Sequence, residues 1–293
     1  MKAPSVSETP SISPRWLQPV LMLAPASLWL LLLLIVPTLI IFQLSLVPNI
    51  KPGDVVIPSG LDNYWRIFQP ETFSIIRRSF LLASGTTLGC LVLGFPVAYW
   101  IALSSPKRWR NLLLLGFTLP LWTSSLLRSY AWVSILRRTG VLNSILTSIG
   151  LPALDLLYQP IAVLIGMIYS LLPYMVLILY ASLEKLDRQL LEAAADLGAT
   201  PFQAFWKVTI PQCLPGIAAG SLLVFITGSG DFVNPELLGG TASRTAARSI
   251  YDQFLGATQN WGFGSALSMI LILVVSFAIA LLIKYGDKNA KSI

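Results

Sequence analysis

The segment Glu192-Ala-Ala-Ala-Asp-Leu-Gly198, which Val208-Thr-Ile-Pro211 follows after nine residues, is the most informative part of the sequence. It is a short polar segment between two long apolar runs. Asp187 is a suitable N-cap for it, and the leucines and alanines that follow have the spacing of one apolar helix face. Gly198 suits the left-handed conformation that often follows a helix. The pattern predicts an amphipathic helix that stops sharply at Gly198.

The second half of this loop also carries helix signals. Thr200-Pro201-Phe202-Gln203 has the residues of a capping box, with proline at the first helical position. We expect a second short helix that presents Phe202, Phe205 and Trp206 and ends at Pro211. From the pattern alone, an amphipathic connector lying on a bilayer is an alternative to a docking surface.

The composition places the chain in a membrane. Its 293 residues are 55% hydrophobic and only 11% charged, whereas soluble domains are about 25% charged. A helix of about 20 apolar residues crosses the hydrocarbon core. Six stretches fit this length, the third as one tilted helix that continues past Arg128, and they predict an all-α polytopic integral membrane protein with six transmembrane helices. They cover residues 16–50, 79–106, 111–127, 156–183, 208–230 and 253–283.

The first stretch predicts a retained membrane anchor. Its apolar core comes after Ala24-Pro25-Ala26, whereas the core of a cleaved signal peptide precedes its cleavage site. We therefore divide the chain into four parts. These are a cytoplasmic tail at 1–15, a transmembrane helix at 16–50, a five-helix core at 61–284 with the loop at 185–212, and a cytoplasmic tail at 285–293.

The sequence excludes several kinds of chemistry. It contains no histidine, which removes imidazole metal sites and Ser-His or Cys-His nucleophile pairs. Cys90 and Cys213 both fall within predicted spans, and two cysteines are too few for a metal cluster. No phosphate-binding Gly-x-x-x-x-Gly-Lys-Ser/Thr segment occurs either. We expect no cofactor, no metal and no enzymatic activity in this chain, so any ATP must bind to another subunit.

The loop resembles the cytoplasmic loop of ABC importer permeases. The family pattern is Glu-Ala-Ala, three residues, Gly, nine residues and Ile-x-Leu-Pro. Five residues here match it outright, while Val208 replaces isoleucine and Ile210 replaces leucine. The five matching residues are Glu192, Ala193, Ala194, Gly198 and Pro211.

The resemblance implies the fold and the partners. The fold is expected to be that of type I importers, with the loop's first helix seated in a cleft of an ATPase subunit that binds ATP and Mg²⁺. The expected assembly contains two ATPase subunits, a second related permease and an extracytoplasmic binding protein, in a bacterial inner membrane. The net charge of +7 is scattered over short loops on both faces, so we expect contact with membrane lipid and not with nucleic acid.

Several further segments resemble the polyamine branch of this family, the spermidine/putrescine permease subunits. Permeases for iron, thiosulfate or opines share some of these segments, so polyamine cargo and those solutes remain alternatives. The segments are Leu61-Asp-Asn-Tyr64, Pro120-Leu-Trp-Thr-Ser-Ser-Leu-Leu-Arg128, Leu172-Pro-Tyr174, Leu183-Glu-Lys-Leu-Asp187 and Gly230-Asp-Phe-Val-Asn-Pro-Glu-Leu-Leu-Gly-Gly240.

A cationic cargo has candidate contacts near the end of the fifth span. Asp231 and Glu236 could meet an ammonium group, and Trp122 and Tyr174 could line a passage by cation–aromatic contacts. The alternatives are that Asp231 pairs with Arg128, and that the aromatic side chains belong to the interfacial belt or to helix packing.

The predicted orientation of the chain in the membrane depends more on the loop at 185–212 than on the distribution of basic residues. With both termini inside, eleven basic residues face inward and nine outward, a small excess with the expected sign. If the loop at 185–212 meets an ATPase, it lies in the cytoplasm and both termini do too. An ATP-independent secondary transporter is the rival from another class, but spans 1, 2, 4 and 6 offer it no charged side chains.

Overall fold

The computed structural model describes residues 17–57, 60–240, 243–256 and 259–290, and these residues form helices and connecting segments without a β-strand. The helices in chain order are α1 Leu17–Ser45, α2 Asp62–Ile67, α3 Pro70–Tyr99, α4 Lys107–Thr118, α5 Ser125–Leu136, α6 Val141–Ser148, α7 Pro160–Leu183, α8 Arg188–Asp196, α9 Pro201–Ala204, α10 Ile210–Ser229, α11 Val233–Leu238, α12 Ala246–Leu255 and α13 Trp261–Ala290.

Within the described ranges, five uninterrupted helical segments are long and apolar enough to cross a membrane, and a bent pair brings the number to six if it forms one span. The predicted all-α membrane architecture is therefore confirmed. The five segments are Met22–Ser45, Pro70–Ser104, Pro160–Leu183, Pro201–Ser229 and Trp261–Ala280. The predicted tail at 1–15 lies outside the described residues, and α13 extends to Ala290, inside the predicted C-terminal tail.

The third span differs from the single tilted helix expected. It consists of Lys107–Trp122 and Ser125–Ser148, bent by 94° at the break between them. Pro120 has no N–H to donate to the preceding turn, and the chain tightens there into a 3₁₀ turn, Leu119–Trp122. The Thr123 hydroxyl donates to the Pro120 carbonyl at 2.8 Å, and Thr123 then adopts an extended conformation. The expectation of one continuous helix through Arg128 was therefore wrong.

The fifth span starts earlier than predicted. Pro211 does not end the loop's second helix, because α9 continues through a π-helical turn, Phe205–Thr209, directly into α10. Proline cannot donate to the carbonyl four residues earlier and its ring crowds that carbonyl, and a widened π turn removes the conflict. The loop is consequently joined to span 5 without a flexible linker.

The core lies where α3, α7 and α10 pack together around buried Met175, Leu179 and Cys213. Small residues in α3 permit this close packing. A Cβ at Gly89 would lie 2.4 Å from Cδ1 of Ile168 in α7. Gly85 and Gly94 face α7 in the same way. Because the three helices are in direct contact, movement of one is transmitted to the others.

Gly216 allows us to predict a stability effect. A Cβ at Gly216 in α10 would lie 2.3 Å from Cβ of Ser182 in α7, so Gly216→Ala should lower the free energy of unfolding by about 1–3 kcal/mol through overpacking. The control Gly116→Ala meets no atom within 4 Å and should be neutral. Thermal unfolding in detergent measures both, and an equal melting temperature for the two variants would contradict the close packing of α7 and α10.

Candidate functional site: a capped helix–turn–helix loop

The loop between spans 4 and 5 starts with a capped helix. The Asp187 carboxylate accepts a hydrogen bond from the Gln189 amide at 3.0 Å, which confirms the predicted N-cap of α8. Glu192 and Ala193 are exposed, and Ala194 is half-buried. Of the predicted apolar face, Leu191 is also half-buried, while the other members are exposed. Most of α8 is therefore open for contact with another molecule.

Gly198 ends α8 as the sequence predicts. Its φ is +82°, in the left-handed region, and its amide donates to the Ala195 carbonyl at 2.9 Å. The Ala199 amide donates to the Ala194 carbonyl at 2.9 Å. These two bonds form a Schellman motif, which satisfies the last helix carbonyls and reverses the chain. The turn is therefore defined by the backbone itself.

The second helix is fixed at its start and in its interior. Thr200 and Gln203 form the predicted capping box, with both reciprocal hydrogen bonds present. Phe205 packs edge-on against Phe95 and Tyr99 of α3, with ring centroids 5.5 and 5.8 Å away. Phe205 therefore anchors the loop to span 2.

The remaining residues of the predicted loop motif lie at the start of span 5 and are only partly accessible. Val208, Ile210 and Pro211 are half-buried, and Ile210 packs against the core of α3, α7 and α10. The motif thus has an exposed half around α8 and Gly198, and a packed half at the start of span 5. The exposed half is therefore the more accessible to a partner.

The opposite end of span 5 carries the acidic residues predicted to meet cargo. The Asp231 carboxylate accepts hydrogen bonds from the amides of Val233 and Asn234, at 2.9 and 3.3 Å, and from the Asn234 side chain at 2.6 Å. Buried Asn234 in turn accepts from the Ser129 hydroxyl of α5 at 3.0 Å. Asp231 therefore holds the first residues of α11, and Asn234 links this helix to α5.

The alternative pairing of Asp231 with Arg128 does not occur within the described residues. Glu236 forms an ion pair with Arg248 of α12. Trp122 is 79% exposed beside the break in span 3, and Tyr174 is exposed on α7. The structure places Asp231 and Glu236 on one short segment, whereas Trp122 and Tyr174 lie on two other elements, the break in span 3 and α7.

Comparison with known proteins decides the family. Residues 94–289 match the family model described as the binding-protein-dependent transport system inner membrane component, and this range contains the loop and every helix from α4 onward except the last residue of α13. The chain belongs to this family. It is therefore a multi-pass permease subunit of an ABC importer.

Two relatives support this assignment over most of their length. The permease is 40% identical over 249 residues to the spermidine/putrescine transport system permease protein PotB of Escherichia coli K12, covering 84% of this chain and 90% of that protein. It is 38% identical over 253 residues to the PotB protein of Haemophilus influenzae, covering 86% and 88%. In fold it is similar to a chain of a bacterial alginate ABC transporter solved with a periplasmic protein that carries an alginate pentasaccharide. The TM-score is 0.74 at 19% identity, with 96% of each chain covered.

The sequence did not predict the hydrogen bonds that connect α8 to the end of span 2. The Arg188 guanidinium, at the start of α8, donates to the carbonyls of Ala102 and Leu103 at 3.3 and 3.2 Å. Arg110, at the start of α4, donates to the same Ala102 carbonyl at 2.8 Å. These carbonyls belong to a π-helical turn, Trp100–Ser104, at the end of span 2. The only sequence signal was a pair of arginines beside span ends, which is also typical of lipid contact.

Proposed function

We propose that this permease imports polyamines, with spermidine and putrescine as the cargo class, as part of an ATP-driven assembly. The assembly comprises two ATPase subunits, a second related permease and an extracytoplasmic binding protein. The chain lies in a bacterial inner membrane with both termini in the cytoplasm. The observation that carries the proposal is the exposed, capped loop around Gly198, together with the similarity to permeases named for spermidine and putrescine.

The loop's construction supports a docking role over that of an amphipathic connector. A connector lying on a bilayer is typically rich in lysine and arginine on its polar face, whereas α8 exposes the acidic Glu192 and Asp196 beside small alanines. Small exposed side chains let a partner's surface approach the helix backbone closely. The Schellman turn and the capping box then hold both helices of the loop in one relative orientation.

The permease can transmit movement because this loop is rigidly connected to its spans. ATP and Mg²⁺ bind to the ATPase subunits, and hydrolysis there supplies the energy. A displacement of α8 acts on span 2 through Arg188 and on span 5 through the uninterrupted helix from Pro201 to Ser229. Phe205 couples the same displacement to Phe95. Spans 2 and 5 therefore move together when the ATPase subunits close.

The cargo class is tested by ATP hydrolysis of the complete complex. We expect the complex purified from native membranes, with its loaded binding protein, to hydrolyse ATP faster when spermidine or putrescine is supplied. Thiosulfate, ferric iron and an opine are the comparison solutes. Stimulation by one of these and not by polyamines would reject the polyamine assignment but leave the ATP-driven importer intact. ATP-independent uptake in vesicles would instead favour a secondary transporter.

A further inference from the structure

The N-terminus of α4 has an unusual charge. This 12-residue helix begins with Lys107-Arg108-Trp109-Arg110, contains no acidic residue in its first turn and has no side-chain cap. The start of a helix carries roughly half a positive elementary charge, which a capping oxygen or an acidic side chain normally offsets. Here three basic side chains add to that charge. An anion at this position would balance it.

A cavity of about 590 Å³ lies beside this helix end. Its charged lining consists of Lys107, Arg110 and Arg188 with a single carboxylate, Glu184. Nη1 of Arg110 is 3.8 Å from the Glu184 carboxylate, which also accepts a hydrogen bond from the Tyr180 hydroxyl. Three positive groups against one negative group leave the cavity positive. One carboxylate, already paired with Arg110 and Tyr180, cannot neutralise three positive side chains.

Two buried polar atoms at the cavity have no partner. Ser105 is only 6% exposed, and its Oγ makes no hydrogen bond within the described structure. Nε of Arg110 is likewise buried and unpartnered, although Nη2 donates to the Ala102 carbonyl. An unsatisfied buried polar group costs about 1–3 kcal/mol. Both groups can donate a hydrogen bond, so an oxygen-rich anion is the ligand that would satisfy them.

The surroundings place this cavity at the level of lipid headgroups. Trp100 at the end of span 2 and Trp109 at the start of span 3 are 53% and 57% exposed. Tryptophan is enriched at the boundary between hydrocarbon and water, where its ring and its N–H are both accommodated. Basic pockets between spans at this depth bind anionic headgroups. At this depth, phosphate groups of lipids are more abundant than free phosphate.

We propose that this cavity binds the phosphate of an anionic phospholipid. Lys107 and Arg188 supply charge, Ser105 and Nε of Arg110 donate hydrogen bonds, and the start of α4 faces the phosphate with its free amides. The leaflet is the cytoplasmic one, which rests on the orientation proposed above. Binding itself depends neither on the cargo nor on ATP, so the two proposals fail independently.

The test is a lipid titration of the delipidated complex in neutral detergent, followed by native mass spectrometry. Phosphatidylglycerol should bind more tightly than phosphatidylcholine. Lys107→Gln, which changes an exposed side chain, should raise the Kd for phosphatidylglycerol about fivefold. Ser105→Ala should raise it less. The matched control Arg108→Gln removes the same charge from the same helix turn but outside the cavity lining, and should leave the Kd unchanged.

Three results would overturn the proposal. Equal losses in Lys107→Gln and Arg108→Gln would show general surface attraction without a site. Binding of inorganic phosphate that excludes phosphatidylglycerol from the wild-type cavity would assign the site to free phosphate. Loss of the lipid preference only when the ATPase subunits are attached would show that an acidic side chain of the ATPase fills the cavity.

Discussion

Replacing Gly198 by valine is expected to lower ATP-driven uptake about tenfold while ATP hydrolysis continues. Gly198 has φ +82°, a conformation that costs an L-residue roughly 1–2 kcal/mol and a β-branched residue more. No atom lies within 4 Å of a Cβ at this position, so the effect comes from the backbone and not from a clash. The altered turn displaces α8 from its Schellman geometry. Uptake into vesicles and ATP hydrolysis, measured in parallel, give the coupling ratio.

Gly53 provides the matched control for this change. It also has a positive φ, +95°, and also has open space around its Cβ position, but it lies in the connection between α1 and α2. Gly53→Val should therefore keep normal coupling at the same backbone cost. An unchanged coupling ratio in Gly198→Val, with normal membrane insertion, would count against the docking role of the loop.

Replacing Ala193 by tryptophan is expected to reduce uptake by roughly tenfold to a hundredfold. Ala193 is exposed on α8 and carries one of the small side chains that permit close approach of a partner. An indole there overpacks a close interface, at about 1–3 kcal/mol. The permease itself should stay folded, since the substituted side chain points away from its core. Uptake and the amount of ATPase retained on purification measure the effect.

The control for the tryptophan change is Ala153→Trp. Ala153 is exposed too, but it lies in the connection before α7, at the end of that span far from α8. It should retain both uptake and bound ATPase. Equal losses in the two variants would point to a general effect of an added indole on folding, and the prediction for α8 would then be wrong.

Local rules predicted the loop well because its helix ends are set by neighbouring residues. Asp187 caps α8, Gly198 ends it and Thr200 with Gln203 starts the next helix, all through contacts within five residues. Such contacts are readable from sequence because no distant part of the chain is needed to form them. The number of spans was predictable for a similar reason, since length and hydropathy decide it.

The features that the sequence did not predict depend either on contacts between distant residues or on how a helix accommodates a proline. Pro120 accompanies a break in span 3, whereas Pro211 is accommodated by a π turn within a continuing helix. Nothing local distinguishes those outcomes. The structural role of Asp231 depends on Asn234 and, through it, on Ser129 more than 100 residues away. A separation of 86 residues likewise hid the contact of Arg188 with Ala102 at the end of span 2.

Site-specific cross-linking from α8 tests the central claim most directly. The two native cysteines, Cys90 and Cys213, are fully buried, so a cysteine introduced by Glu192→Cys offers a single reactive thiol on the loop. In native membranes, a thiol-reactive cross-linker at this position should yield an adduct that contains an ATPase subunit, whereas Ala153→Cys should yield none. A Glu192→Cys thiol that reacts only with reagents confined to the outer side, and never with an ATPase, would contradict the account.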